Sequence, residues 1–259
     1  MPRMTKRSRP TALAVELRAA LEAAAEPARA PAMQAYMKSS MPYYGVSAPR
    51  AKLVFREVFG RYPFVDAARW QGDVLELWRG ARHREERYGA MALAGHKRAA
   101  PFRTTDVLPM FEEMIVTGAW WDFVDEIAAH RVGELLARDP ATMKPRMRAW
   151  SRSDDLWKRR TSILCQLRHG PATDLELLYA CIAPSIASTE FFLRKAIGWA
   201  LRQVAWFDPD EVVRYVDAHA GELSGLSKRE ALKNVPALAS GARKLRAGRL
   251  AKPERAPSS

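Results

Sequence analysis

The segment WWDFVDEIAAH, Trp120–His130, contains the residues whose types and spacing are best suited to chemistry. Trp121 and Asp125 are four residues apart, so on a helix they lie on the same face. An indole attracts a cation through its π face, and a carboxylate does so through its charge. The pair therefore indicates a site for a cationic group. The alternative is structural, because tryptophan is commonly a core residue and an aspartate in the first turn stabilises a helix dipole.

Arg160 and Trp199 follow on later helices of a regular series. Apolar helical segments start 36, 37 and 35 residues apart: Glu86–Ala94, Asp122–His130, Arg159–Leu167 and Arg194–Arg202. If these first helices lie side by side, Arg160 and Trp199 approach the surface that carries Trp121 and Asp125. Alternatively, both residues only brace neighbouring helices.

A second helix is predicted after each first helix, near Asp106–Val116, Ala141–Trp150, Asp174–Ile182 and Pro209–His219. Strand patterns are nearly absent, and Asp-Pro pairs at Asp139 and Asp208 are typical helix starts. Two helices in a period of this length predict an all-α fold, an α-solenoid of HEAT-like two-helix repeats. Its concave face could hold DNA or, equally, a peptide, so the fold alone does not decide the function.

The net charge of +13 and the pI of about 10.1 indicate a polyanionic partner such as nucleic acid. This charge is concentrated at the ends, because residues 1–10 contribute +4 and residues 241–259 contribute +5. We therefore expect a flexible basic tail at 1–10, one repeat domain at 11–240 and a second flexible basic tail at 241–259. Such tails either strengthen non-specific DNA binding or only aid solubility.

Other classes of protein are disfavoured by the composition. Cys165 and Cys181 lie in apolar helical patterns and are predicted to be reduced core thiols. The five histidines show no metal-ligand spacing, so we expect no metal and no cofactor. No apolar run approaches the roughly 18 residues of a membrane helix, which predicts a cytoplasmic protein without membrane contact.

Four motifs together resemble the AlkD-like DNA alkylation repair family, the HEAT-like-repeat alkylpurine DNA glycosylases. The resemblance covers roughly residues 30–235 and rests on YMKSSMPYYGV (Tyr36–Val46), WWDFVDEIAAH (Trp120–His130), LWKRRTSILCQL (Leu156–Leu167) and EFFLRKAIGWALRQ (Glu190–Gln203). It implies a C-shaped helical stack with a positively charged concave groove. It also implies hydrolysis of the N-glycosidic bond of N3- and N7-alkylated purines, such as 3-methyladenine and 7-methylguanine, without an enclosing base-flipping pocket.

The resemblance assigns roles to four residues. The catalytic acid of the family falls on Asp125, its two lesion-facing tryptophans on Trp121 and Trp199, and its active-site arginine on Arg160. Arg160 would also bind a phosphate. No amine nucleophile is designated, so we expect a monofunctional glycosylase that leaves an abasic site.

Further basic residues are candidate phosphate contacts, although each alone is typical of a solvated surface. They are Lys38, Arg50, Lys52, Arg194, Arg202, Lys228 and Arg229. The expected partner is double-stranded DNA containing alkylated purines, bound by a monomer that associates with the nucleoid. The alternative function is a non-catalytic HEAT-like scaffold that binds branched or damaged DNA, or protein.

Overall fold

The computed structural model of the chain describes residues 11–235, and in this range it contains helices and no β-strand. The predicted all-α fold is confirmed. The chain divides into two compact units, Met1–Thr117 and Gly118–Ser259, and the boundary lies inside the predicted domain 11–240. The predicted tails, residues 1–10 and 241–259, lie outside the described residues, as do residues 236–240.

The described part of the first unit is built from α1 (Ala12–Ala23), α2 (Ala30–Met37), α3 (Ala48–Gly60), α4 (Ala67–Arg79), α5 (Arg84–Ala94) and α6 (Leu108–Gly118). Two short 3-10 turns, Lys97–Phe102 and Thr105–Val107, lead into α6. Its core includes Trp70 and Trp78 of α4, which are completely buried or nearly so. The indole of Trp70 donates a hydrogen bond to the carbonyl of Leu93, which joins α4 to α5.

The loop between α2 and α3 is held by one buried carboxylate. Glu85, 1% exposed, accepts hydrogen bonds from the backbone N–H groups of Tyr44, Gly45 and Val46 at 3.1, 2.9 and 3.1 Å. Gly45 has a φ of +86°, and a Cβ there would lie 2.1 Å from the carbonyl oxygen of Glu26. Only glycine allows this conformation and this approach. These contacts give the motif Tyr36–Val46 a structural role inside the first unit.

The described part of the second unit is built from α7 (Trp121–Glu126), α8 (Gly133–Arg138), α9 (Pro140–Trp150), α10 (Leu156–Leu164), α11 (Leu175–Ile182), α12 (Phe191–Val204), α13 (Pro209–Ala218) and α14 (Gly225–Leu232). The predicted first helices of this unit correspond to α7, α10 and α12, and the predicted second helices to α9, α11 and α13. Successive first helices contact each other, α7 with α10 and α10 with α12, and α12 also contacts α14.

Two of these helices begin where the Asp-Pro pairs predict. The side chain of Asp139 accepts a hydrogen bond from the N–H of Thr142 at 3.1 Å, and Asp208 accepts one from Glu211 at 3.0 Å. Each aspartate thus satisfies an N–H group of the first turn that has no partner inside the helix. These caps fix the starts of α9 and α13.

The helix that carries Asp125 differs from the regular α-helix predicted over Asp122–His130. It runs as α7, continues as a π-helix over Ile127–Val132, and returns to α-helix in α8. A π-helix is wider than an α-helix and is often found near functional sites. One apolar face of this helix is nevertheless buried, since Val124, Ile127 and Val132 are at most 1% exposed.

The two cysteines are free and buried, as predicted, and burial raises the pKa of Cys181 to about 11. Within residues 11–235, every helix is too short or too polar to cross a bilayer.

Candidate functional site

A single pocket of about 320 Å³ in the second unit brings together the four residues to which catalytic roles are assigned. Trp121 and Asp125 come from α7, Arg160 from α10 and Trp199 from α12. Five further residues complete the lining: Phe191, Phe192, Lys195, Arg202 and Glu230. The pocket therefore combines aromatic faces with one carboxylate–guanidinium pair and one further cluster of charges.

Asp125 and Arg160 form a bidentate ion pair at this pocket. Arg160 donates from Nε to Oδ1 and from Nη2 to Oδ2, both at 2.7 Å. The two side chains are 13% and 4% exposed. Arg160 also donates from Nη1 to the carbonyl oxygen of Phe192, and its guanidinium lies 5.8 Å from the centre of that ring. The arginine is thus fixed on two sides and holds the carboxylate in one orientation.

The environment acts on the pKa of Asp125 in two opposing ways. Burial raises the pKa of this carboxyl, the hydrogen bonds and charge of Arg160 lower it, and the nearby charge of Asp122 raises it. The net direction is upward, because removal of the carboxylate from water outweighs the guanidinium. Both oxygens accept hydrogen bonds from Arg160, which is the geometry of the ionised form.

The starts of two helices place the ion pair. Trp120 has an extended conformation, and α7 begins at the next residue, Trp121. Because Asp125 follows Trp121 by four residues, the two side chains lie on the same face of α7. Helix α10 begins at the cap residue Asp155, whose side chain accepts hydrogen bonds from the N–H groups of Trp157 and Lys158 at 2.9 and 2.8 Å. The cap fixes the start of α10 and, one turn later, the position of Arg160.

Aromatic rings support Phe192, the residue whose carbonyl holds Arg160. Its ring centre lies 5.5 Å from that of Trp120 and 5.0 Å from that of Trp157. Trp120 therefore packs beside the pocket, whereas Trp121 lines it. Trp199 is half-buried and packs against the core of the second unit. Phe191 also lines the pocket and is 55% exposed.

The predicted phosphate contacts separate into two groups. Arg202 lines the pocket and pairs with Glu230 at 2.9 Å. The other six do not line it. In the second unit Arg194 is half-buried, Lys228 donates to the carbonyl of Ala220 at 3.0 Å and Arg229 is exposed. In the first unit, Lys38, Arg50 and Lys52 are all exposed.

Four pocket residues were not singled out from the sequence: Phe191, Phe192, Lys195 and Glu230. Phe191, Phe192 and Lys195 lie in the motif that contains Trp199, so proximity to that residue was an available signal. Phe192 acts through its backbone carbonyl, which no residue type reveals. Glu230 lies 35 residues after Lys195, and only the packing of α14 on α12 brings them together.

Within the described range 11–235, no group of three or more histidine, cysteine, aspartate or glutamate side chains is arranged to hold a metal ion.

Most of the chain is similar to known proteins. The model of a protein family described as DNA alkylation repair enzyme matches residues 17–235. A solved structure described as a predicted DNA alkylation repair enzyme from Enterococcus faecalis is similar, with 27% sequence identity and a TM-score of 0.73. That match covers 81% of this chain and 95% of the other. No curated protein sequence matches significantly. The family match includes every residue that lines the pocket.

Proposed function

Because the chain belongs to the DNA alkylation repair enzyme family, we propose that it is a monofunctional DNA glycosylase that removes cationic alkylated purines and leaves an abasic site. The proposed substrates are N3- and N7-alkylated purines in double-stranded DNA, including 3-methyladenine and 7-methylguanine. The proposed acting form is a monomeric HEAT-like-repeat protein in the cytoplasm, associated with the nucleoid when it is bound to DNA.

One observation carries this proposal. The Asp125 carboxylate is held by Arg160 at 2.7 Å on both oxygens, in a pocket that is also lined by Trp121 and Trp199. Indole faces and a carboxylate both attract positive charge. Alkylation at N3 or N7 makes a purine cationic, so the pocket has the chemical character that this lesion and its reaction require.

The chemistry needs no general acid. The bond between C1′ and N9 breaks with both electrons remaining on the base, so the cationic purine leaves as a neutral molecule. The sugar then carries positive charge as an oxocarbenium ion. Asp125 stabilises that charge electrostatically, which is effective because the carboxylate is already fixed in a water-poor site. Water adds to C1′ and loses its proton to Asp125 or to the solvent, giving the abasic site.

The two tryptophans and the arginine support this step. Trp121 and Trp199 contact the lesion or its sugar and hold the backbone so that C1′ faces Asp125. Arg160 acts mainly on Asp125, because its Nε, Nη1 and Nη2 each already donate a hydrogen bond. One hydrogen on each terminal nitrogen remains for the predicted phosphate contact. Recognition from the backbone side needs no deep pocket for the flipped base.

The test is release of free base from a duplex that contains 7-methylguanine, measured under single-turnover conditions. The expected result is release by the wild type, and a loss of about 100-fold or more for Asp125→Asn, because the amide keeps the shape and removes the charge. DNA binding should be retained.

A matched control is Glu126→Gln, which removes one charge from the next residue of the same helix. Glu126 pairs with Arg131 at 3.3 Å and does not line the pocket, so base release should remain near wild type. Binding of the duplex with no release by the wild type would favour the scaffold alternative. Full activity of Asp125→Asn would remove this residue from its assigned role.

A further inference from the structure

Helix α12 presents two cations on the pocket, one on each side of Trp199. Lys195, Trp199 and Arg202 are spaced by four and three residues, so they share one face of the helix. All three line the pocket. In the proposed function Trp199 contacts the lesion or its sugar, so Lys195 and Arg202 lie next to the bound lesion. The arrangement therefore places positive charge where a DNA backbone would pass.

One carboxylate from α14 joins the two cations. Glu230 accepts a hydrogen bond from Lys195 Nζ at 2.8 Å through Oε1 and one from Arg202 Nη1 at 2.9 Å through Oε2. The side chains of Lys195, Arg202 and Glu230 are 40%, 21% and 18% exposed. Three charges in contact leave a net charge of +1, and both cations keep further N–H donors that Glu230 does not use.

The position of Glu230 is set by the close approach of two helices. A Cβ at Gly198 would lie 2.5 Å from Cβ of Glu230 and 2.8 Å from the carbonyl oxygen of Ser227. Ser227 is fully buried and donates its hydroxyl to the carbonyl of Arg194 at 2.9 Å. These contacts fix the register of α14 on α12, and Glu230 follows Ser227 by one turn.

We propose that Lys195 and Arg202 form a binding site for one DNA phosphate at the pocket, and that Glu230 is a positioning residue that holds both cations for it. The inference rests on the proposed function only in taking the ligand to be a DNA backbone. It adds Lys195 to the residues that contact the substrate, and Glu230 as a residue that acts through Lys195 and Arg202.

A negative side chain in a phosphate site has a physical rationale. Lysine and arginine have long side chains, and fixing each of them on binding has an entropic cost. Glu230 fixes both before DNA arrives. Its own repulsion of the phosphate is outweighed by the attraction of the two cations, because the three charges sum to +1 and both cations lie nearer to the phosphate than Glu230 does. The hydrogen bond and charge of Lys195, with Arg202 and Lys233, lower the pKa of Glu230, so it stays ionised.

The competing explanation is that Glu230 only tethers α14 to α12. The two explanations predict opposite effects on DNA affinity. If Glu230 is only a tether, its removal takes a negative charge from a DNA-binding surface and strengthens binding. If Glu230 positions the cations, its removal weakens binding although the protein becomes more positive.

The experiment measures the affinity of the full-length chain for a short undamaged duplex over a series of salt concentrations. Glu230→Gln and Glu230→Asp are both expected to bind roughly fivefold to tenfold more weakly, the second because a shorter side chain keeps the charge but cannot reach both cations. Lys195→Gln should lower the salt-dependence slope by about 1, as expected for one lost phosphate contact. Lys195→Gln combined with Glu230→Gln should lose less affinity than the two single losses added together, because the part of the Glu230 effect that acts through Lys195 is then already absent.

The control is Glu176→Gln. Glu176 also pairs with an arginine, Arg148 at 2.8 Å, in the same unit but away from the pocket. Its removal should leave affinity unchanged or slightly higher. Tighter binding by Glu230→Gln, or additive effects in the double variant, would overturn the proposed phosphate site. Base release does not enter this measurement, so an absence of glycosylase activity would overturn the proposed function and leave this result standing.

Discussion

At the scale of single residues, the orientation of Asp125 is decided before substrate binds. Arg160 holds both carboxylate oxygens, and the carbonyl of Phe192 holds Arg160. A charge that is already oriented stabilises a developing cation without the cost of rearranging solvent or side chains. The same burial that makes the charge effective also raises the pKa of Asp125.

The raised pKa has a consequence for the pH dependence of the proposed reaction. Asp125 acts as a carboxylate, so activity is present above its pKa and is lost as the pH falls through it. Because burial shifts the pKa upward, the loss should begin at a higher pH than for an ordinary aspartate, whose pKa is about 3.9.

The measurement is the single-turnover rate of base release against pH, with spontaneous depurination subtracted at each point. A rate that stays constant down to the pKa of an ordinary aspartate would contradict the upward shift.

The sequence was more informative about some of these residues than about others. Trp121, Asp125, Arg160 and Trp199 have distinctive types and lie on helices that recur at a regular interval, and they line one pocket as predicted. Their catalytic roles remain proposals. Glu230 could not be predicted from the sequence, because a glutamate on a solvated helix has no distinguishing pattern until its neighbours in space are known.

At the scale of helices, the second unit depends on close contacts at glycine. Gly198 lies in α12 where α14 crosses it, and a methyl group there would meet the backbone of Ser227 and Cβ of Glu230. Gly133 follows the π-helical segment, and a Cβ added there would lie 2.4 Å from the carbonyl oxygen of Cys165. Small residues at these points let the helices that carry the site approach each other.

Gly198→Ala should therefore destabilise the protein. The new methyl group cannot be accommodated by a side-chain rotation, because one of the atoms it meets is a backbone oxygen, so α14 must shift. The expected loss in the free energy of unfolding is about 1–3 kcal/mol, less the roughly 1 kcal/mol by which alanine favours a helix. Chemical denaturation of both proteins checks this.

Gly72→Ala is the matched control, because Gly72 is an exposed helical glycine of α4 with nothing within 4 Å of an added Cβ. It should be neutral or slightly stabilising. Equal effects of the two substitutions would show that the approach of α14 does not constrain position 198.

The apolar period and the capping residues were sufficient to predict most helices in the second unit. These helices bury one face, and a side-chain cap begins α9, α10, α11, α13 and α14. The π-helical segment and the glycine contacts were not predicted. Both depend on which helices meet at which residue, and a local pattern contains no such information.

At the scale of the whole molecule, positive charge is unevenly distributed along the chain. Of the net +13, residues 1–10 and 241–259 hold +9 and residues 11–240 hold +4. Charge that contacts many phosphates supplies binding that is independent of sequence and falls steeply with salt. The residues that line the pocket, in contrast, all lie between Trp121 and Glu230.

Deletion of residues 1–10 and 241–259 should therefore lower the affinity for DNA without lowering the rate of base release. We expect weaker binding to undamaged duplex and a smaller salt-dependence slope, because fewer counterions are released. The single-turnover rate of base release at saturating protein should stay near wild type. Unchanged affinity would assign the tails to solubility, and a lower rate at saturation would link them to the reaction itself.

The predicted C-shaped stack with a concave groove describes both units together, and it remains a prediction. Inside the second unit, the structure shows which helices meet: α7 contacts α10, and α10 contacts α12. These contacts bring Trp121, Asp125, Arg160 and Trp199 to one pocket.

Every residue that lines the pocket belongs to the second unit. The shape of the pocket is thus encoded in about half of the chain, and none of its walls comes from the described residues of the first unit. Under the proposed function, substitutions in Met1–Thr117 should change how long a duplex is retained and leave in place the residues proposed to break the bond.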